Sequence, residues 1–256
     1  MYNRDLGGTR YSPLTQIDVN NVKKLEQAWS YRLQPSEFRF DTAKGVSELT
    51  PIVVNGVMYI SAQTRIAALN PETGKEVWRY DVPDGHASPR GVAYWAGDKQ
   101  NSRIFFTSGR NLIALAAATG KIDPAFGNQG TVDMVVPYAG VPTIIKNVIA
   151  VGATTGELET GPPGDTRAFD ARTGKKLWEF PSVPQPGQPG SKTWLNEGWK
   201  DRSGVNAGGG YMTADESRGI LYMTLGAPTA HYYGGDRPGD NLFANSIVAL
   251  DAGTGK

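Results

Sequence analysis

The sequence contains no cysteine and only two histidines among its 256 residues. The absence of cysteine excludes disulfides, thiolate-bound metals and a cysteine nucleophile. His86 and His231 stand far apart, and neither lies in an HExxH pattern. A zinc site of that type is therefore not expected.

The chain also lacks net charge and long apolar runs. Lys and Arg number 26 against 25 Asp and Glu, a formal net charge of +1. This balance gives no electrostatic case for nucleic-acid binding. No apolar run approaches the roughly 18 residues that are needed to cross a bilayer, so we expect no membrane span in this chain.

Turn-forming residues are abundant instead. The chain has 32 Gly and 17 Pro, together with 11 Tyr and 6 Trp. Many turns combined with aromatic residues favour an all-β protein. The length suits one large domain with a substantial core, so we treat residues 1–256 as a single domain.

One unit of strands and turns recurs along the chain. Its first copy reads PIVVNGVMYIS (51–61), RIAALN (65–70), PETG (71–74) and KEVWRYD (75–81). The Asn-Gly pair at 55–56 predicts a tight hairpin. The order is therefore strand, NG turn, strand, loop, strand, TG turn and strand.

Weaker copies of the unit occupy 103–121, 147–180 and 218–256. The glycines of the TG turns fall at Gly74, Gly120, Gly174 and Gly255. Periods of about 40–50 residues with four short strands each are typical of β-propeller blades. The longer last interval holds a Pro- and Gly-rich insertion, about 181–210, which we expect to be a long surface loop. Three tryptophans follow strand-like runs and are predicted to pack between neighbouring blades: Trp29, Trp78 and Trp178.

The repeat also predicts an incomplete ring. A propeller closes so that no sheet edge stays open, whereas this chain holds about four blades. The last copy stops at its turn, DAGTGK (251–256). We therefore expect the chain to be a fragment of a longer protein.

The TGKxxW ending of the repeat resembles that of the pyrroloquinoline quinone (PQQ)-dependent dehydrogenases. Longer stretches that resemble the same family, in its glucose, polyol and alcohol dehydrogenase branch, are NRDLGGTRYSPLTQIDVNNVKKLEQAW (3–29), SELTPIVVNGVMYI (47–60), RGVAYW (90–95), GDTRAFDARTGKKLWEF (164–180) and YYGGDRPGDNLFANSIVALDAGTGK (232–256). The resemblance covers nearly the whole chain. It implies that this chain corresponds to the N-terminal portion of such a dehydrogenase. It implies an eight-bladed propeller with PQQ and Ca²⁺ on the axis and a periplasmic location. It also implies an alcohol or sugar substrate, and a quinone or cytochrome as electron acceptor.

The resemblance implies site residues as well. Glu48 and Arg90 match an acid that contacts PQQ and an arginine that meets its carboxylates, a role that suits a guanidinium. In VGATTGE (151–157), Glu157 matches a calcium ligand, but the spacing leaves Thr154 and Thr155 open as contacts. Asn206 is expected to be a further polar contact to the cofactor. Thr229 lies near the family's next metal position.

Three departures from the family pattern are visible. Glycines occupy 208–210, where close relatives carry a tryptophan at about Gly208 on which the cofactor stacks. The sequence AGVP (139–142) replaces an expected Ser or Thr. The catalytic aspartate that accepts the hydroxyl proton is expected beyond Lys256.

Two functions follow from these features. The first is part of a PQQ- and calcium-dependent dehydrogenase that oxidises an alcohol or aldose by hydride transfer to the quinone, and that is inactive without the remaining chain. The alternative is a non-catalytic propeller of the same repeats that serves as a protein-binding scaffold, of the outer-membrane assembly type. The loss of the stacking tryptophan favours the scaffold, whereas the N-terminal stretch and YYGGDRPGDN (232–241) favour the dehydrogenase.

Overall fold

The structure, a computed structural model, describes residues 9, 11–33, 48–83, 86–98, 101–207 and 212–256. Within these ranges the regular elements are fifteen strands and two single-turn 3₁₀ helices, Val22–Lys24 and Ser191–Thr193. The strands pair antiparallel throughout, which confirms the all-β prediction. None of the helices in the described ranges has the length and apolar character to cross a membrane.

The strands form four separate sheets, and in each sheet every strand pairs with the next one along the chain. The first sheet contains β1 (Ile52–Val54), β2 (Val57–Ala62), β3 (Arg65–Leu69) and β4 (Glu76–Asp81). The second contains β5 (Ala93–Trp95), β6 (Arg103–Ser108), β7 (Asn111–Ala116) and β8 (Thr131–Asp133). The third contains β9 (Thr143–Ile145), β10 (Val148–Val151), β11 (Thr166–Asp170) and β12 (Lys176–Phe180). The fourth contains β13 (Thr213–Asp215), β14 (Ile220–Thr224) and β15 (Ile247–Asp251).

The turns use the chemistry that the sequence predicts. Asn55 and Gly56 have φ angles of 50° and 75°, and they join β1 to β2 with Val54 opposite Val57. Two successive positive φ values are what a type I′ hairpin requires. In the TG turn between β3 and β4, the amide of Gly74 donates to the carbonyl of Asn70 at 2.9 Å.

Successive sheets pack face to face through their tryptophans. The Trp78 indole of the first sheet donates from Nε1 to the carbonyl of Ala117 in the second sheet, at 2.8 Å. The same contact joins Trp178 to the carbonyl of Ala252, also at 2.8 Å, and Trp29 donates to the carbonyl of Pro71 at 3.0 Å. The predicted packing between neighbouring units is confirmed for Trp78 and Trp178, and Trp29 packs on the first sheet from a segment outside the four sheets.

An arginine joins the second sheet to the third, where the repeat lacks its tryptophan. The Arg103 guanidinium, 4% exposed, donates from Nη1 to the carbonyls of Ala171 and Arg172, both at 2.6 Å. Its Nε contacts Asp123 Oδ2 at 2.7 Å, and the Trp95 ring lies 5.4 Å from its Cζ. The sequence pattern did not predict this substitute anchor.

The inner strands β5, β9 and β13 are neighbours, so the sheets are arranged like consecutive propeller blades. The ring does not close within the described residues. The described part of the insertion, 181–207, is more than a surface loop, because Trp194 is 4% exposed and belongs to the core shared by the last three sheets. Its indole nitrogen donates to the carbonyl of Leu242. The insertion is therefore packed against the loop that precedes β15.

Candidate functional site

Glu48 and Arg90 meet beside the first strand of the first sheet. Glu48 Oε2 lies 2.7 Å from Arg90 Nη2, and the two side chains are 44% and 27% exposed. The amide of Thr50 donates to the carbonyl of Arg90 at 3.2 Å, so the two segments run side by side ahead of β1 and β5. Gly91, with a φ of 137°, permits this approach, since an added Cβ would lie 3.1 Å from the carbonyl oxygen of Thr50. The structure thus joins the two residues that the sequence singled out 42 positions apart.

A chain of hydrogen bonds links Arg90 to the loop after β10. The Arg90 amide donates to Ser88 Oγ at 3.3 Å, and that hydroxyl donates to the carbonyl of Ala139 at 2.6 Å. The amide of Ala139 donates to Thr154 Oγ1 at 3.0 Å. Thr154 therefore lies within the same polar network as Arg90, and its hydroxyl orients the 139 segment.

Thr155 and Asn206 form the next contact along this face. Asn206 Nδ2 lies 2.9 Å from Thr155 Oγ1, and Asn206 Oδ1 lies 3.2 Å from the same hydroxyl. The missing side chain of Gly164 leaves space for the Asn206 side-chain amide, because a Cβ added there would lie 2.3 Å from Asn206 Oδ1. The two predicted cofactor contacts thus touch each other although they are 51 positions apart.

Glu157 and Thr229, the predicted metal ligands, lie on adjoining loops. Thr229 is 1% exposed, and its hydroxyl donates to the carbonyl of Leu158 at 2.6 Å. Glu157 Oε2 lies 3.0 Å from His231 Nδ1, and the Glu157 side chain is 73% exposed. His231, which the sequence analysis did not assign to this site, is thus a neighbour of the candidate ligand.

Arg202 joins these loops and was missed by the sequence reasoning. Its buried guanidinium donates from Nη1 to the carbonyl of Thr229 at 2.8 Å and from Nε to the carbonyl of Gly198 at 3.0 Å. Its Nη2 lies 2.7 Å from Asp236 Oδ2. An arginine inside a Pro- and Gly-rich insertion carries no local pattern that would have indicated burial.

Two cavities adjoin the polar network. One of about 250 Å³ is lined by residues of the first three sheets and their connections, and its walls include His86, Ser88 and Thr154. The other, of about 640 Å³, runs along the inner strands β1, β5, β9 and β13. Arg90 and Thr50 lie in the wall of this larger cavity, and the Arg90 side chain is 27% exposed.

The side chains of the candidate site are of the types that could contact PQQ and Ca²⁺, but they offer too few ligands for Ca²⁺. Arg90 supplies a cation for a carboxylate, while Thr155 and Asn206 supply neutral hydrogen-bonding groups. The oxygens of Glu157 and Thr229 are the hard ligands that Ca²⁺ takes, but Ca²⁺ requires about six to eight of them. No group of three His, Asp or Glu side chains lies together in the part of the chain that is described. Glu157 and Thr229 alone would therefore supply only part of the ligands that a Ca²⁺ ion needs. Gly208, the expected place of the stacking ring, lies outside the described residues.

The blade-like sheets and the polar network beside their inner strands define a partial β-propeller with a candidate ligand site near its axis. The profile of the PQQ family described as "Glucose/ethanol/alcohol dehydrogenase, beta-propeller domain" matches residues 1–256, and the chain belongs to this family.

Individual relatives agree with this assignment. The chain is 36% identical to the dehydrogenase subunit of a quinone-type alcohol dehydrogenase from Gluconobacter oxydans, over 100% of this chain and 36% of that protein. It is 32% identical to quinoprotein glucose dehydrogenase A of Acinetobacter calcoaceticus, over 100% of this chain and 36% of that protein. The crystal structure of the quinohemoprotein alcohol dehydrogenase from Comamonas testosteroni superposes with a TM-score of 0.80 at 31% identity, over 99% of this chain and 39% of that one. The chain thus spans a little over a third of the length of these relatives.

Proposed function

We propose that this chain binds PQQ beside its inner strands and forms part of a dehydrogenase that oxidises an alcohol or an aldose. Because the chain spans little more than a third of its relatives, we assign the oxidation to the complete protein and the cofactor contacts to this chain. The observation that carries the proposal is the continuous polar network from Glu48 and Arg90 through Ser88 and Ala139 to Thr154.

Each residue of the network has a defined task in this proposal. Arg90 binds a carboxylate of the cofactor, and Glu48 keeps the guanidinium in place through its 2.7 Å contact. Thr154 orients the 139 segment, while Asn206 and Thr155 present an amide and a hydroxyl to the polar edge of the quinone. The packed sheets behind them exclude water from one side of the site.

PQQ, when bound, would supply the quinone that accepts a hydride from the alcohol carbon. Glu157 is proposed as a carboxylate ligand of Ca²⁺, with Thr229 adding a hydroxyl oxygen, and further ligands come from the rest of the complete protein or from the cofactor. A periplasmic location and a quinone or cytochrome as electron acceptor belong to the same proposal and follow from the family resemblance alone.

Calorimetric titration of PQQ into the chain in the presence of Ca²⁺ tests the proposal. Wild-type protein is expected to bind, and Arg90→Ala is expected to lose affinity by more than tenfold, because a charge-assisted hydrogen bond contributes roughly 1.5–3 kcal/mol. Arg110→Ala is the matched control, since Arg110 forms an exposed ion pair with Asp133 in the second sheet. Absence of PQQ binding to wild-type protein, both in this chain and in the full-length protein, would reject the proposal in favour of a non-catalytic scaffold.

A further inference from the structure

Arg202 lies at the centre of the three loops that carry Glu157, Asn206 and Thr229. It is 8% exposed, and its guanidinium reaches three partners: the carbonyls of Gly198 and Thr229, and the Asp236 carboxylate. A buried charge is costly unless it is paired and hydrogen-bonded, so this set of contacts has a strict geometry. Because Asp236 neutralises it, the guanidinium is not itself available to bind an anion.

Thr229 is held through all of its polar groups. Its carbonyl accepts from Arg202, its amide donates to the carbonyl of Ser203 at 3.2 Å, and its hydroxyl donates to the carbonyl of Leu158. The position of Arg202 therefore sets the position of Thr229, and through it the backbone next to Glu157.

The residues after Arg202 form a middle segment between the other two loops, and we name residues 202–206 the clamp segment. On one side, the amide of Ser203 donates to the carbonyl of Glu159 at 3.1 Å, and its hydroxyl donates to the carbonyl of Pro162 at 3.1 Å. On the other side, the amide of Val205 donates to the carbonyl of Ala227 at 3.0 Å. The clamp segment ends at Asn206, which contacts Thr155.

Glu157 needs this support because little else orders it. Its side chain is 73% exposed and contacts His231, which is 40% exposed and stands two residues after Thr229. Both partners of that contact are thus carried by loops that the clamp segment joins. A shift of either loop would break the Glu157–His231 contact and the hydrogen bond from the Thr229 hydroxyl to the carbonyl of Leu158.

We propose that Arg202, fixed by Asp236, is the positioning residue of this site: it holds the loops of Glu157, Asn206 and Thr229 in one arrangement that can accept a divalent cation and the cofactor edge. The assignment of those ligands rests on the proposed function. Arg202 touches neither the cation nor the cofactor, and it acts through the backbone of Thr229 and Ser203.

Amide hydrogen exchange followed by mass spectrometry tests the positioning role without any ligand. In Arg202→Lys and Asp236→Asn, exchange is expected to accelerate at least tenfold in 157–162 and 226–231, while 103–116 in the second sheet keeps its protection. Arg110→Ala, the matched loss of an exposed guanidinium, should leave all three segments unchanged. Unchanged exchange in the two loops, or an equal loss of protection in 103–116, would overturn the inference.

Titration with CaCl₂ in the presence of PQQ provides the second readout. Residues that orient metal ligands typically cost about 10–100-fold in metal affinity when altered, and we expect a loss of this order in Arg202→Lys. Equal Ca²⁺ affinity in this variant and wild-type protein would contradict the positioning role. Failure of wild-type protein to bind PQQ, both in this chain and in the full-length protein, would instead reject the proposed function, and the exchange experiment would still decide whether Arg202 orders the loops.

Discussion

The Trp78 ring lies directly against Gly120 of the next sheet, so that a Cβ added to this glycine would lie 2.4 Å from Trp78 Cε3. The same relationship recurs between Trp29 and Gly74 at 2.5 Å. It recurs again between Trp178 and Gly255 at 2.6 Å. The glycines of these three TG turns therefore have two tasks: each adopts a positive φ, and each leaves room for the tryptophan of the preceding unit.

Gly120→Ala is expected to destabilise the chain by about 1–3 kcal/mol, the usual cost of overpacking a filled interface, with a further cost from its φ of 68°. Gly109→Ala is the matched control, because Gly109 has a φ of 55° and nothing within 4 Å of its added Cβ. Urea denaturation measures both variants. Equal losses of unfolding free energy would show that backbone conformation alone, and not contact with Trp78, requires Gly120.

Arg103→Ala is expected to destabilise the chain by about 3–5 kcal/mol, because it leaves the partly buried Asp123 carboxylate and two carbonyls without their donor. Arg110→Ala, which removes an exposed ion pair with Asp133, should cost no more than about 1 kcal/mol. Thermal and urea unfolding provide the comparison. A loss in Arg103→Ala as small as that of the control would contradict the role of Arg103 as a substitute for the missing tryptophan.

Gly164→Ala is expected to displace the Asn206 amide, because the new Cβ would lie 2.3 Å from Asn206 Oδ1 and 2.5 Å from the carbonyl oxygen of Gly204. Loss of one hydrogen bond to the cofactor, worth about 0.5–1.5 kcal/mol, lowers PQQ affinity by about 2–10-fold. Gly156→Ala serves as the control, since nothing lies within 4 Å of its added Cβ. PQQ titration that gives the same affinity for Gly164→Ala and the control would remove Asn206 from the site.

Asp165→Asn is expected to change how stability depends on pH. Burial raises the pKa of the Asp165 carboxyl above its usual value of 3.8, although the carboxylate accepts from the amide of Ser182 at 2.9 Å and lies 3.7 Å from Arg167. A raised folded-state pKa favours the protonated form, so the contribution of this group is present below pH 3.8 and is lost as the pH rises through the folded-state pKa.

The free energy of unfolding of wild-type protein should therefore fall relative to that of Asp165→Asn as the pH is raised from about 4 to 7. Urea denaturation at several pH values measures this difference. A difference that grows in favour of wild-type protein with rising pH would mean that the ion pair with Arg167 outweighs burial.

Much of the fold could be predicted because its information is local. Asn55 and Gly56 predict a hairpin because both residues tolerate positive φ values. The TG turns recur once in each successive unit. Three of the four turn glycines also follow a tryptophan in the preceding unit, so the pattern indicated the packing between sheets. The anchoring role of Arg103 could not be predicted, because its partners Ala171 and Arg172 lie far along the chain and no spacing rule connects them to it.

For the candidate site too, the choice of residues came from the sequence, whereas their contacts came from the structure. Residue type and the family resemblance selected Glu48, Arg90 and Asn206 as candidates from the sequence, and their roles stay predictions. Contacts between loops of different sheets, such as Asn206 with Thr155, exist only after the sheets have packed.

Local residue chemistry thus sets the turns, the strands and the period of this propeller, since φ preferences and alternating apolar residues act over a few positions. The tertiary structure alone decides that an arginine replaces a tryptophan between the second and third sheets. It alone decides that Arg202 is buried at the junction of three loops. The physical reason is that burial and hydrogen-bond partners of a charged side chain depend on residues far away in the sequence, which meet only when the blades are assembled.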